Sequence, residues 1–295
     1  MEVLYNQTSE YFNSTMVEYL HSRMDGVIWA ISCIAFPIVC AAIYGLSCLT
    51  TSDHHVSSIC VINLLLSDML QICSKPVWHL IPISSVMHLV LYAVYSIGLM
   101  ASICFMLCIA AERYVLIVYP LWYRRNRTKN KSILAVLLVW IMAPVVILII
   151  SLALISGAVD HGVLYPSFIV FYLLPYPPII FFTVGTWRAL SCTKSVPPQE
   201  QKRIMGTLVL VLVIYTFFFL PFVILMLALA ISPNLLNDPR VQTYGSLVDI
   251  LLSLNPIVDP FLYVVMRRDA KEMLTNMVCC CKKRRKTDTE TSLTL

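Results

Sequence analysis

Five long stretches of the chain carry no charged residue, and they limit the fold more than any other feature. They cover residues 27–52, 56–67, 76–111, 132–159 and 205–237. A helix needs about 20 mainly apolar residues to cross the hydrocarbon core of a bilayer. A membrane β-barrel is built instead from alternating segments of about 10 residues. The stretches are too continuously apolar for barrel strands, so they predict membrane-spanning helices.

The composition supports an integral membrane protein. The chain is 59% apolar and 13% charged, with a mean hydropathy of +0.81, whereas soluble domains are about 45–50% apolar and about 25% charged. Disorder requires low hydrophobicity, so it is excluded for most of the length. With 8 glycines and no repeat, collagen and a coiled coil are excluded as well. The predicted fold class is an all-α membrane protein.

Charge and hydropathy together place seven spans, at residues 27–50, 56–80, 84–118, 133–155, 164–188, 205–231 and 244–265. Lysine and arginine concentrate in residues 124–131, 188–203 and 267–286, whereas the opposite connections hold only Arg23 and Arg240. Cytoplasmic loops carry the excess of basic residues. We therefore expect a seven-helix bundle in the plasma membrane, with the N-terminus extracellular and the C-terminus cytoplasmic.

This topology divides the chain into an extracellular tail (residues 1–26), a seven-helix domain (27–266) and a cytoplasmic segment (267–295). The outer tail contains two sequons, and we expect N-glycosylation at Asn6 and Asn13.

The cytoplasmic segment predicts membrane attachment. Residues 267–277 fit a short amphipathic surface helix, and three cysteines follow next to the basic run 282–286. Cysteines beside a membrane suit S-palmitoylation, and a basic run is attracted to anionic lipid. We expect acylation at Cys279, Cys280 and Cys281. The threonines and serine of residues 287–294 could be phosphorylated and bind an arrestin-like partner; an ordinary disordered tail is the alternative.

Ionisable side chains within the spans are costly, so each one is a functional candidate. The sequence contains few of them, and they are Asp68, Lys75, Glu112, Arg113, Asp249 and Asp259.

Their order along the chain matches a known family. Asp68 lies in the second span, Glu112-Arg113-Tyr114 ends the third, and Asp259-Pro260-Phe261-Leu262-Tyr263 lies late in the seventh. The sequence resembles the rhodopsin-like (class A) G protein-coupled receptors. Its DPxxY form is similar to the branch of nucleotide, lysolipid and small-acid receptors. Further matches to the family pattern are Trp140, Pro175 and Pro221.

Four positions depart from that pattern. Residues 37–41 of the first span lack the usual asparagine, and Phe219 and Thr183 replace a tryptophan and a tyrosine. His88 occupies the position of the usual cysteine of the third span, and residues 156–164 contain no cysteine, so we expect no disulfide there.

Two carboxylates at one depth repel each other unless one is protonated or a cation bridges them. The resemblance implies a sodium ion in the core, for which hard oxygen ligands are suitable. A neutral network with one protonated carboxyl is the alternative. The residues implied are Asp68, Ser102, Asn255 and Asp259. We expect no other metal or cofactor.

The resemblance also implies an activation switch. Glu112 would hold Arg113 at rest, and the released arginine would meet a G protein, with Tyr263 as its partner. A proline kinks a helix, so the inner half of the sixth span would swing at Pro221, beside Phe219. The alternatives are a snorkelling arginine and a kink that serves packing alone. Lys202 and Arg203 would lie at the moving end, and Tyr114 completes the triplet.

The outer half should contain the ligand site. We expect Lys75 and Asp249 to pair, or to hold opposite ends of a polar head group; a purely structural ion pair is the alternative. His88 lies at a depth where it could join them, although a structural histidine is the alternative. An aromatic and apolar lining would come from Tyr92, Tyr95, Phe222, Val223 and Met226; ordinary core packing would give the same pattern.

The sequence also limits the ligand. Residues 245–266 contain no lysine, which excludes a retinal Schiff base. Amine receptors of the family carry an aspartate at the position of Tyr95, and the sixth and seventh spans lack a basic residue for phosphate or carboxylate. These observations favour a lipid-like or weakly charged ligand.

We therefore expect a receptor that binds an extracellular ligand and activates a heterotrimeric G protein. The alternatives are a non-signalling decoy receptor and a transporter or channel, although no internal repeat is present. No enzyme motif occurs. The expected partners are the G protein, an arrestin-like protein, membrane lipids and the ligand, with no nucleic acid.

Overall fold

The computed structural model describes residues 25–47, 55–81, 86–126, 129–156, 161–192 and 198–266. Within these ranges every regular element is helical. The helices are α1 (Asp25–Ser47), α2 (His55–Leu80), α3 (Val86–Val118), α4 (Pro120–Asn126), α5 (Lys129–Ile155), α6 (His161–Leu173), α7 (Tyr176–Cys192), α8 (Pro198–Ile231), a 3-10 helix (Pro233–Asn237) and α9 (Pro239–Met266).

Seven helical stretches of the described chain are long and apolar enough to cross a membrane. They correspond to α1, α2, α3, α5, the α6–α7 pair, α8 and α9. The predicted all-α, seven-span fold is confirmed.

The fifth span differs from its prediction as one continuous helix. It is interrupted at Leu174 and Pro175, between α6 and α7. Proline has no N–H to donate along a helix, and its ring clashes with the preceding turn. Two further prolines, at 177 and 178, fall in the first turn of α7, where helices tolerate them. The proline cluster therefore ends one helix and begins the next.

The last two spans begin earlier than predicted. Charge and hydropathy placed their starts at residues 205 and 244, whereas α8 begins at Pro198 and α9 at Pro239. Proline is favoured in the first turn of a helix, and the polar first turns extend beyond the apolar core. The short helix α4 was not predicted.

Helix α3 is the centre of the bundle, and it packs against α2, α5, α7 and α8. Of its apolar window, 67% is buried, against 6% of the corresponding window of α5. Helix α5 therefore lies at the periphery, where its apolar side chains face lipid. The polar groups of α3 are correspondingly placed to meet those of several neighbouring helices.

Gly98 allows α2 and α3 to approach closely. A Cβ atom added at Gly98 would lie 2.8 Å from the carbonyl oxygen of Ser67 and 3.0 Å from Cγ of Gln71. Ser67 directly precedes Asp68, and Gly98 lies four residues, about one helical turn, before Ser102. The close approach thus brings two of the predicted polar residues to the same interface.

Side-chain hydrogen bonds join the outer helices to this core. Trp140 of α5 donates through Nε1 to Oδ1 of Asn63 on α2, at 2.9 Å. The Tyr215 hydroxyl of α8 donates to the backbone carbonyl of Tyr172 on α6. Trp140, matched to the family pattern by sequence, thus connects α5 to α2.

Several predictions concern residues outside the described ranges. They are the glycosylation sites Asn6 and Asn13, the amphipathic helix of residues 267–277, the acylation sites Cys279, Cys280 and Cys281, and the tail of residues 287–294. For Tyr263, the structure describes the backbone and not the side chain.

Candidate functional site

Lys75 and Asp249 form an ion pair between α2 and α9. Nζ of Lys75 lies 2.8 Å from Oδ1 of Asp249, and it donates to the backbone oxygen of the same residue, also at 2.8 Å. Lys75 is 2% exposed. Its ammonium also donates to the Tyr95 hydroxyl at 3.3 Å and lies 4.9 Å from the centre of that ring. A buried charge requires such partners, since leaving it unpaired is costly.

His79 extends this pair to a third helix. Its Nε2 lies 3.4 Å from Oδ2 of Asp249, and its Nδ1 lies 3.1 Å from Oδ1 of Asp25 on α1. These contacts are ion pairs when the imidazole is protonated. The sequence interpretation missed both His79 and Asp25. The available signal was the spacing of four residues between Lys75 and His79, which places both on one face of α2.

Trp78 is the centre of an aromatic cluster beside the ion pair. Its indole N–H donates to Nε2 of His88. Its ring lies 5.2 Å from Tyr92 and stacks on Tyr95 at 5.9 Å, between ring centres. His88, Tyr92 and Tyr95 of the predicted ligand site therefore meet through a residue that the sequence interpretation had omitted. The bond from Trp78 to His88 joins α2 to the first turn of α3.

The other predicted lining residues belong to a second aromatic group, on α6 and α8. Phe222 lies 4.9 Å from Tyr172 and 6.5 Å from Phe168, between ring centres. Val223 is buried, and Met226 is half-buried. This group therefore joins α6 to α8.

Deeper in the bundle, the four predicted core residues come together. Ser102 donates to Oδ2 of Asp259 at 3.3 Å. Nδ2 of Asn255 donates to the same oxygen at 3.1 Å and to the Ser102 hydroxyl at 3.4 Å. Asp68 lies close to Asp259, and Gln71, which the sequence interpretation had omitted, donates to Oδ1 of Asp68 at 3.3 Å. All five side chains are buried.

The oxygen atoms of this inner cluster are suitable ligands for a hard cation. Four buried side-chain oxygens of this cluster lack a hydrogen-bond partner, one each on Asp68, Gln71, Asn255 and Asp259. Two adjacent carboxyl groups cannot both be charged without a bridging cation. Oxygen atoms from carboxylates and amides are the ligands that such ions prefer. A proton shared between the two carboxyl groups would also relieve their repulsion.

At the far end of α3, the Glu112-Arg113-Tyr114 triplet contacts both α2 and α7. Oε1 of Glu112 accepts a hydrogen bond from the Cys60 thiol of α2 at 3.6 Å. Arg113 is 7% exposed, so its guanidinium lies inside the bundle. The Tyr114 ring packs on α7, with its centre 5.3 Å from that of Phe182. The anchor of Glu112 on Cys60 was not predicted.

Tyr114 packs closely against α7 at Gly185, so a larger residue at that position would require the tyrosine ring to shift. A Cβ atom there would lie 2.6 Å from Cε2 of Tyr114. Thr183, which replaces the tyrosine of the family pattern, donates to the carbonyl of Ile179 in its own helix at 2.8 Å. The hydrogen bond of the Thr183 hydroxyl therefore lies within α7.

Phe219 is fully buried in α8 and stacks on two tyrosines. Its ring centre lies 5.0 Å from that of Tyr215 and 6.2 Å from that of Tyr172. Pro221 lies inside the same helix, and its carbonyl accepts a hydrogen bond from Tyr244 of α9 at 3.1 Å. Lys202 is exposed and Arg203 half-buried in the first turns of α8. The helix is thus connected to both neighbours around its proline.

A model of seven-transmembrane receptors of the rhodopsin family matches residues 38–263 of the chain. The chain belongs to this family. The matched residues include Lys75, Asp249, the deeper polar cluster and the triplet of α3.

Three human relatives are similar over part of the receptor. G-protein coupled receptor 20 is 30% identical over 171 residues, which is 57% of this chain and 47% of the relative. Melanocortin receptor 3 is 25% identical over 195 residues (63% and 59%), and G-protein coupled receptor 65 is 24% identical over 209 residues (61% and 62%). Each match spans less than two thirds of the relative's length.

Proposed function

We propose that this receptor binds a ligand in its outer half and activates a heterotrimeric G protein from its inner face. The observation that carries the proposal is the burial of Arg113 at the inner end of α3. A cation with so little exposure is stored within the bundle at rest. A shift between two states of the bundle could release it to a partner, and ligand and partner would then be thermodynamically coupled.

The outer polar network supports a lipid-like or weakly charged ligand. Lys75 is already neutralised by Asp249 and directed towards it by two contacts of 2.8 Å. An anionic ligand would have to break this pair to use the lysine. The aromatic surfaces of Tyr92, Tyr95 and Phe222 favour an apolar body with a small polar group.

The test is G-protein activation in transfected cells, with cell-surface labelling as the measure of expression. We expect basal or ligand-stimulated nucleotide exchange, and we expect Arg113→Ala to abolish it at equal surface expression. Arg125→Gln, an exposed arginine on α4, is the matched control. Lysolipids, fatty acids, nucleotides and organic acids form the ligand panel. Normal signalling by Arg113→Ala would refute the assigned role.

The non-signalling receptor remains the second candidate, because Thr183 bonds within its own helix. A receptor at the cell surface that activates no G-protein class, with or without the panel, would establish this alternative. Ion flux or solute uptake dependent on the chain would instead indicate a channel or transporter. The proposed branch, with nucleotide, lysolipid and small-acid receptors, is tested by the same panel.

We propose a sodium ion at the inner cluster. Asp68, Asn255, Ser102 and Asp259 would hold it, and the ion would supply positive charge between the two carboxyl groups. We expect sodium, compared with choline, to raise the thermal stability of the purified receptor and to lower agonist affinity. Asp68→Asn should remove both effects. If sodium changes neither property of the unmodified receptor, the shared proton is the correct account.

We also propose that the N-terminus is extracellular and that the chain is glycosylated, acylated and phosphorylated. An extracellular N-terminus would make an epitope before Asn6 accessible on intact cells, and a glycosidase would lower the mass unless Asn6 and Asn13 are both changed to Gln. Acyl exchange should label Cys279, Cys280 and Cys281. Phosphorylation of the tail should recruit an arrestin-like protein, which loss of the tail hydroxyls would prevent.

A further inference from the structure

The lipid-facing side of α7 contains an open groove of about 460 Å³. It runs along the helix from Tyr176 to Arg188, and its walls between these ends are apolar, with Phe181 and Val184 among them. Both of these side chains are exposed. Since the chain spans a membrane, lipid is the medium that meets this surface.

The length of the groove matches one leaflet of a bilayer. Twelve residues separate Tyr176 from Arg188, which gives about 18 Å at 1.5 Å per residue. Half of the hydrocarbon core is about 15 Å thick. One extended acyl chain can therefore follow the groove from the headgroup level towards the bilayer centre.

The polar end of the groove is cationic. Arg188 is exposed, and the structure gives it no ion pair among the described residues. The neighbouring Trp187 is 60% exposed, and tryptophan is enriched at the headgroup level. The planar guanidinium matches the geometry of a phosphate with two parallel hydrogen bonds. The apolar walls and the arginine together have the complementary shape and charge for an anionic phospholipid.

The groove is also connected to the α3 triplet. The ring of Phe181, which forms part of the wall, lies 5.5 Å from the ring of Tyr114, between centres. Tyr114 in turn rests on Gly185, another wall residue. A bound acyl chain would therefore restrain the packing of α3 against α7.

We infer that this groove binds one anionic phospholipid, with its phosphate on Arg188 and an acyl chain along Val184 and Phe181. The inference rests on the proposed orientation in one respect, the leaflet in which the lipid lies. With the C-terminus inside the cell, that leaflet would be the cytoplasmic one, where anionic lipids are enriched. Binding itself does not depend on signalling or on which face is inside.

The test uses the full chain in nanodiscs, with the same lipid in both leaflets. Native mass spectrometry would count retained phosphatidylglycerol against phosphatidylcholine, and thermal unfolding would be followed in parallel. We expect one phosphatidylglycerol retained per receptor and a higher unfolding midpoint than in phosphatidylcholine alone. Because symmetric leaflets remove the effect of orientation, failure here is distinct from failure of the G-protein assay.

Two variants probe the two ends of the interaction. Arg188→Gln should weaken phosphatidylglycerol retention about tenfold, as expected for the loss of a charged hydrogen bond. Val184→Trp should weaken retention by filling the groove while leaving Arg188 in place. Lys131→Gln is the matched control, because this exposed lysine lies on α5, which packs on α2 and α3. The Lys131→Gln receptor should retain as much phosphatidylglycerol as the unmodified receptor.

Equal retention by Arg188→Gln and the unmodified receptor would overturn the inference. Equal stabilisation by glycerol 3-phosphate, which has no acyl chain, would show a site for free phosphate instead. Receptor dimers that Val184→Trp abolishes, with no lipid retained, would show that the groove is an interface between two copies.

Discussion

Replacing Gly98 with alanine tests the closest contact between α2 and α3. The added Cβ would lie 2.8 Å from the carbonyl oxygen of Ser67 and 3.2 Å from Cβ of Leu70. Favourable carbon contacts begin at about 3.5 Å, so the helices must separate by several tenths of an ångström. The carbonyl oxygen belongs to the backbone of α2 and cannot rotate away as a side chain could.

The magnitude follows from two opposing effects. Overpacking of a tight interface costs about 1–3 kcal/mol, whereas alanine is favoured over glycine in a helix by about 0.5–1 kcal/mol. We therefore expect Gly98→Ala to lower the free energy of unfolding by up to about 2.5 kcal/mol, the largest difference between these two effects. The separation would also move Asp68 away from Ser102 and reduce the sodium-dependent stabilisation.

The assay is thermal unfolding of the purified receptor, with and without sodium, for three glycine variants. Gly26→Ala meets no atom within 4 Å, and Gly245→Ala meets Cδ2 of Leu225 at 3.6 Å, an ordinary contact. These two controls should be as stable as the unmodified receptor or slightly more stable. If Gly98→Ala matches them, α2 and α3 do not approach as closely as the structure indicates.

Three further substitutions test individual contacts by thermal unfolding. Lys75→Met should lower the free energy of unfolding by less than the loss of about 3–5 kcal/mol that follows when a fully buried pair is broken, because the Asp249 side chain is 30% exposed. The double variant, Lys75→Met with Asp249→Leu, should recover part of that loss. A double variant less stable than Lys75→Met alone would contradict the pair. Trp140→Phe should lower the free energy of unfolding by about 1 kcal/mol. The same substitution should have almost no effect in a receptor that already carries Asn63→Ala, because the hydrogen bond between the two side chains is then absent. Tyr215→Phe should cost about 1 kcal/mol or more, because a buried carbonyl of α6 loses its donor; an unchanged midpoint would show that this bond contributes nothing.

The inner cluster could be proposed from sequence because its members were identified by family position. Asp68, Ser102, Asn255 and Asp259 do meet in the structure. Gln71 was missed because a neutral polar residue in a span is not conspicuous. Its position three residues after Asp68 places both side chains on one face of α2.

The outer cluster was predicted less completely. Lys75 and Asp249 were named because charge in a span is rare and costly. Trp78 and His79 were not, since aromatic residues are common near the ends of spanning helices. Their roles depend on the rotation of α2, which brings Trp78 to α3 and His79 to α1 and α9.

The sequence by itself determined the seven spans and the depth of each charged group, because uncharged length and the cost of buried charge are local properties of the chain. Only the tertiary structure decided which side of each helix faces inward. The spanning helices are apolar around most of their circumference, so periodicity does not reveal the inward face. The contacts of Glu112 with Cys60, of Trp78 with His88 and of Tyr114 with Gly185 follow from helix rotation and close packing, which arise only when the helices assemble.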